Sequence, residues 1–281
     1  MKILVIQQYG IHKENSHFRE CLSFQKAFKS FGHDTDCWGL GHPNYDQKIN
    51  FNSYDLILNC ENYGDEWLPD FNEIKKPYKI LYSIDPHVRG IYPYEKIFRE
   101  KSYNFMFVAI RDFCNSPDRA WLPPAIDEEF FLKKNISKDI FLGFVGNILN
   151  RKSILDYMIN NHGLQQYVML IGEKMVDHIN RFKIHFNKNI SIGSNYRNFE
   201  TVGCGTVLLT SGCNEYSDLG FFDGKNCLIY NNLTELEEKI NFCKKNPEKL
   251  IEIEMNALEL AKKHTYKKRV ESILKFLKTK I

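Results

Sequence analysis

The sequence predicts an α/β protein of two halves, each a parallel sheet wrapped by helices. Three observations carry this reading. Short apolar or aromatic runs alternate along the chain with segments of helical periodicity. Each half opens on an apolar strand followed by a glycine-bearing loop, first at Lys2–Gln7 and again at Ile140–Val145. A length of 281 residues suits about two domains.

In chain order, KILVIQ is a buried-type strand, and Gln7-Gln8-Tyr9-Gly10 follows as a tight loop. A helix is predicted from about Ser16 to Phe31, stopped by Gly32. Strands follow at Asp34–Leu40, Tyr54–Cys60, Tyr78–Ile84 and Asn104–Ile110. Trp121–Ala125 (WLPPA) is extended and proline-stiffened, and polar Asp127–Lys138 reads as a linker. The second series places strands at Ile140–Val145 and Tyr167–Ile171, with helices at Ser153–Asn160 and about Met175–Phe186. A short strand at Ile190–Ile192 and a loop at Gly193–Asn195 lead to a helix that carries Arg197 and Glu200 and stops at Gly203–Gly205. Thr206–Thr210 and Asn226–Tyr230 are the last strands. Thr234-Glu235-Leu236-Glu237 has the form of a capping box, and Asn246-Pro247 starts the next helix with proline at its first position. Arg269–Leu277 is a final amphipathic helix. The expected domains are 1–125, 126–265 and a closing helix over 266–281.

Hydrophobic content of 43% and charged content of 26% are those of an ordinary globular protein. A net charge of +3 is too weak to argue for nucleic acid alone. No apolar run reaches the length of a membrane span, and Met1-Lys2 leads into a run too short for a signal peptide, so a cytoplasmic location is expected. The eight cysteines show no zinc spacing and read as free thiols. No G-x-G-x-x-G follows either opening strand, which argues against a dinucleotide-dependent oxidoreductase.

Arg197 and Glu200, three apart, share one helix face. A cation near a helix start suits phosphate, and a carboxylate beside it suits a ribose diol. The plainer alternative is a surface salt bridge.

The segments FETVGCGTVLLT, FFDGKNCLIYNNLTELEEKI, NPEKL and HTYKKRVESIL resemble the C-terminal half of the CgeB-like (spore-maturation type) glycosyltransferases, of the GT-B group. The family pattern falls on Arg197, Glu200, Gly205, Thr206, His264, Thr265, Tyr266 and Arg269. WLPPAID and DIFLGFVGNILNR resemble its interdomain and donor-domain openings. The resemblance covers roughly Trp121 to Leu274. It implies a GT-B fold, with two Rossmann-like domains facing a central cleft and the last helix crossing back to the N-terminal domain. It also implies a nucleotide-sugar donor, UDP-linked in chemistry, held by the C-terminal domain with neither cofactor nor metal. The acceptor, whether glycan, protein or modified DNA base, falls to the N-terminal domain. A non-catalytic nucleotide-sugar or glycan-binding module on the same fold is the alternative.

Expelling a nucleoside diphosphate without a metal calls for helix N-termini, loop amides and cationic side chains. Gly146 and Asn147 offer close backbone approach; Arg151 and Arg197 are the diphosphate candidates, against a reading as ordinary exposed arginines. By the resemblance, Glu200 is the donor ribose ligand, and Ile192 stands where relatives often carry a second glutamate that contacts the sugar. Glu173 and the loop Ser194, Asn195 and Tyr196 are expected to border the base, with a core-capping role as the alternative for Tyr196. On the acceptor side the candidates are Gln8, Tyr9, Gly10 and Glu61. Asp85, with His87, is the candidate general base, against a turn-capping role; His12 and His17 are further alternatives.

Overall fold

The computed structural model describes residues 1–10, 19–61, 66–190 and 192–280; His12 and His17 lie outside them. The chain divides into two compact units, Met1–Pro123 with Tyr266–Ile281, and Pro124–Thr265.

The first unit holds strands β1 (Lys2–Ile6), β2 (Asp34–Trp38), β3 (Leu56–Cys60), β4 (Tyr78–Ser83), β5 (Phe105–Val108) and β6 (Arg119–Trp121). They form one parallel sheet in the order β2-β1-β3-β4-β5-β6. Helix α1 (Glu20–Ser30) joins β1 to β2, and the short α2 (Pro86–Arg89) and α3 (Tyr92–Glu100) join β4 to β5. The middle strands read LVI, LIL and ILY because both faces are covered, so the pattern is continuous rather than alternating. Leu4, Ile57, Leu81 and Met106 share one core with Trp38 and Phe71.

The second unit holds β7 (Ile140–Val145), β8 (Gln165–Tyr167), β9 (Phe182–Asn187), β10 (Val207–Ser211) and β11 (Leu228–Tyr230). Their parallel order is β11-β10-β9-β7-β8. Between and after them come α4 (Lys152–His162), α5 (Gly172–Arg181), α6 (Tyr196–Gly203), α7 (Tyr216–Leu219), α8 (Leu233–Lys245) and α9 (Pro247–Ala261). The last helix, α10 (Tyr266–Leu277), packs on α1 in the first unit, where Tyr266 meets Phe24 edge-on at 5.0 Å. Both sheets are doubly wound in the Rossmann-like manner. The strand order reverses between β1 and β3 in one and between β7 and β9 in the other, and ligands of such sheets bind beyond the carboxyl ends of those strands.

The structure corrects the expected elements between 165 and 192. The run Tyr167–Ile171 is not a strand. β8 ends at Tyr167, and Val168 and Met169 are 43% and 67% exposed, with Met169 at a left-handed φ of 57°. The expected helix Met175–Phe186 is a helix only to Arg181, after which β9 begins at once. His185 and Asn187 break the apolar run, yet both are buried inside the sheet, so neither a helical nor a strand period was visible. Ile190 and Ile192 stand outside any strand, and Ile192 is half exposed. The cap of α8 is Asn232, whose side chain accepts from the Glu235 amide at 2.9 Å, rather than Thr234. Strand β6 and helices α2 and α3 stand beyond the elements expected from the sequence. The eight cysteines are free, and six of them are buried.

Candidate functional site

The carboxyl edge of the second sheet is built around Arg151. β7 ends at Val145, and Gly146 turns the chain at φ 153°, where a Cβ would stand 3.3 Å from the Phe144 ring. Asn147 folds the loop on itself, its Oδ1 accepting from the Leu149 amide at 3.0 Å. Arg151 stands just before α4, is 6% exposed, and donates from Nη1 to the Asn147 carbonyl (2.9 Å) and from Nε to the Lys188 carbonyl (2.7 Å). One guanidinium thereby joins the loop after β7 to the loop after β9, at the reversal point of the sheet. Its Nη2 makes no hydrogen bond to the described residues. Burial, reinforced by the nearby Arg197, holds its pKa down to about 10, so it remains a cation at neutral pH. The reading as an ordinary exposed arginine is thus excluded by its burial.

Asn195 caps α6. Its Oδ1 accepts from the Arg197 amide (3.0 Å), while its own amide donates to Asn198 Oδ1 (2.8 Å). Ser194 is fixed by its amide and hydroxyl, at 2.9 and 2.7 Å, on the buried Glu215 carboxylate. Sequence reasoning missed Glu215, because nothing local ties it to residue 194. Arg197 donates from Nη1 to Glu200 Oε2 at 2.5 Å and to Met175 Sδ at 2.8 Å. The pair is an ion pair, as the plainer reading held, but it is not a solvated one: Glu200 is only 8% exposed. Tyr196 is half-buried, whereas Glu173 is exposed in the first turn of α5 and bonds to none of the described residues.

The carboxyl edge of the first sheet gathers carboxylates. Gln7, buried past the end of β1, donates to Glu20 Oε2 (2.8 Å) and accepts from the Cys21 amide (3.0 Å). The Gln8 carbonyl accepts from Arg19 at 3.2 Å, and Tyr9 stacks on His42 with ring centres 4.7 Å apart. Gly10 takes a left-handed φ of 78°. Glu61 follows β3 with φ 54°, a conformation unusual outside glycine. Its Oε2 accepts from the amides of Ile84 (2.6 Å) and Asp85 (3.2 Å), and its Oε1 from the Tyr94 hydroxyl (2.6 Å). Glu61 therefore fixes the turn that carries Asp85 and His87. Asp85 begins α2, yet its carboxylate neither caps the helix nor bonds to any described residue. Burial raises the pKa of the Asp85 carboxyl, and the Glu20 charge adds to this. Glu20 was not singled out from the sequence, since only the fold brings the start of α1 to the ends of β3 and β4.

Burial and the Asp85 charge push Glu61 up to about 7. A carboxyl raised on folding stabilises the fold fully below its unfolded value near 4.5, and that contribution is lost as pH rises through about 7. Glu61→Gln is expected to flatten this decline, worth roughly 3 kcal/mol across the window. Urea melts between pH 5 and 8 read it; equal slopes in both proteins would show that Glu61 does not carry the linkage.

Residues 158–275 match the family described as Glycosyl transferase-like, over less than half of the chain. No functionally curated protein matches. Among solved structures, a glycosyltransferase from Rickettsia africae is similar over 99% of this chain and 98% of its own, with a TM-score of 0.65 and 10% identity. Anabaena HepE, solved with UDP-glucose, is similar over 99% and 100%, at 0.65 and 11%. An α-glucosyltransferase solved with UDP-glucose and DNA containing an abasic site is similar over 94% and 96%, at 0.65 and 12%. The fold is GT-B. The glycosyl transferase-like match falls on residues 158–275 of that fold.

Proposed function

We propose that this enzyme transfers a sugar from a nucleotide-sugar, UDP-linked in chemistry, to an acceptor hydroxyl or amine, without help from a metal ion. Within the GT-B class it is most akin to the CgeB-like group, on the pattern from Arg197 to Arg269. The observation that carries the reading is Arg151, a buried cation joining the loops after β7 and β9 with one guanidinium nitrogen unspent. Such a group, beside the capped start of α6 and Arg197, suits the diphosphate whose charge grows as the bond to the sugar breaks. Glu200 is assigned to the ribose hydroxyls, with Arg197 paired to its carboxylate at 2.5 Å. Asp85 is assigned as the base that takes the acceptor proton, and Glu61 holds the turn beneath it. HepE, similar in fold, was solved with UDP and with UDP-glucose, which supports the choice of donor.

Calorimetry with UDP and a panel of UDP-sugars is expected to show binding, and incubation with acceptor mixtures is expected to release UDP. Binding without release under any acceptor would favour the non-catalytic module instead. No binding of any nucleoside diphosphate would overturn the reading. Glucosylated duplex DNA among the products would extend it to a DNA-base acceptor, in line with the DNA-bound neighbour.

A further inference from the structure

A buried side chain between the two donor-side loops touches nothing that reacts. His185 lies in β9 and is wholly buried. Backbone pairing of β7 with β9 ends at Gly143 and His185, and past that point the imidazole takes the place of the ladder. The Val145 amide, which can only donate, stands 3.2 Å from His185 Nε2. Nε2 is therefore the bare nitrogen, and the proton sits on Nδ1. Nδ1 lies 2.8 Å from Thr201 Oγ1, and the Thr201 hydroxyl donates to the Arg197 carbonyl at 2.6 Å. The bonds run in one direction, from the Val145 amide through the ring and the hydroxyl to Arg197.

We propose that His185 is a positioning residue: with Thr201 it sets the last residue of β7, from which the Gly146–Asn147 loop departs, against the N-terminal half of α6, which presents Arg197 and Glu200. The inference rests on the donor site proposed above and extends it to two residues that meet no substrate. A neutral ring is what this place requires. A protonated imidazole would present a second N–H to the Val145 amide and would add a third cation beside Arg151 and Arg197. Burial and those two arginines hold His185 well below the ordinary histidine range. The device is a wedge: where two neighbouring strands cease to pair, the ring satisfies the orphaned amide and ties it to the next helix.

Thr201→Val removes the hydroxyl at nearly constant shape, and Thr201→Ser restores it. Each is to be assayed by calorimetry with UDP, at a temperature where circular dichroism shows it fully folded. Thr201→Val is expected to weaken UDP binding by about tenfold, since small misplacements at a distance are costly. Thr201→Ser is expected to return it to within about twofold of wild type. If Thr201→Val does not fold, His185→Asn serves the same test, because its shorter amide keeps a donor for Thr201 but has no acceptor atom at the Nε2 position that meets Val145. A folded Thr201→Val or His185→Asn that binds UDP like wild type would overturn the inference, as would Thr201→Ser binding no better than Thr201→Val. Wild type that fails to bind UDP would overturn the donor-site reading itself, and this inference with it.

Discussion

Asp85→Asn is expected to lower kcat by about 10²–10⁴-fold while leaving UDP affinity within about twofold of wild type. The amide keeps the size of the side chain and cannot take a proton. Because the Asp85 carboxylate caps no helix and bonds to none of the described residues, the substitution should cost little stability. The split between turnover and binding is the discriminating result. The two functions are assigned to different sheets, Asp85 at the end of β4 and the donor groups at the ends of β7 and β9. Initial-rate kinetics with calorimetry on the same preparation decide it. An Asp85→Asn enzyme with unchanged kcat would remove Asp85 from the chemistry and leave His87 as the alternative.

Glu200→Gln has the second large effect, and in the opposite compartment of the kinetics. UDP and UDP-sugar affinity should fall by about 10- to 100-fold, the worth of exchanging charge-assisted hydrogen bonds for neutral ones. Stability should fall as well, because Arg197 would be left as a half-buried cation facing an amide. The two losses can be separated: a double change of Arg197 to Met and Glu200 to Gln removes the orphaned charge, so it should recover stability without recovering donor affinity. Affinity restored in the double variant would show that the pair acts through folding alone.

Much of the architecture was legible because the strands of both sheets are covered on both faces. KILVI, YKILYS and IFLGFV are nearly unbroken apolar runs, and such runs identify themselves. The failure at β9 has the same cause in reverse. FKIHFN carries His185 and Asn187 at buried positions, so the segment lacks the apolar continuity that marked its neighbours. Those two polar residues are there because the strand borders the reversal point of the sheet, where loops must be tied rather than merely covered.

The site was legible wherever a candidate stood at the end of a readable strand, as Gly146, Asp85 and Glu61 do. The structure added different roles to some of them. Glu61 reads from the sequence as an acceptor-side loop residue, but its three accepted hydrogen bonds make it the support of the Asp85 turn. Arg151 reads as a diphosphate candidate or an ordinary exposed arginine; the fold buries it and bonds it to two carbonyls. Glu20, His185, Thr201 and Glu215 carry no local signal. Each has a partner at a sequence distance that only the fold closes, such as the 21 residues between Ser194 and Glu215 or the 16 between His185 and Thr201.

The place of α10 bears on how the chain matures. The unit that begins first is finished last, because residues 124–265 stand as an insertion between its sheet and its closing helix. The insertion is closed at its own ends, where the Ile126 amide donates to the His264 carbonyl at 2.9 Å and Ile126 bridges Thr265. During synthesis the second unit therefore has all its parts before the first does. Until Tyr266 and the residues behind it emerge, the α1 surface around Phe24 stays uncovered.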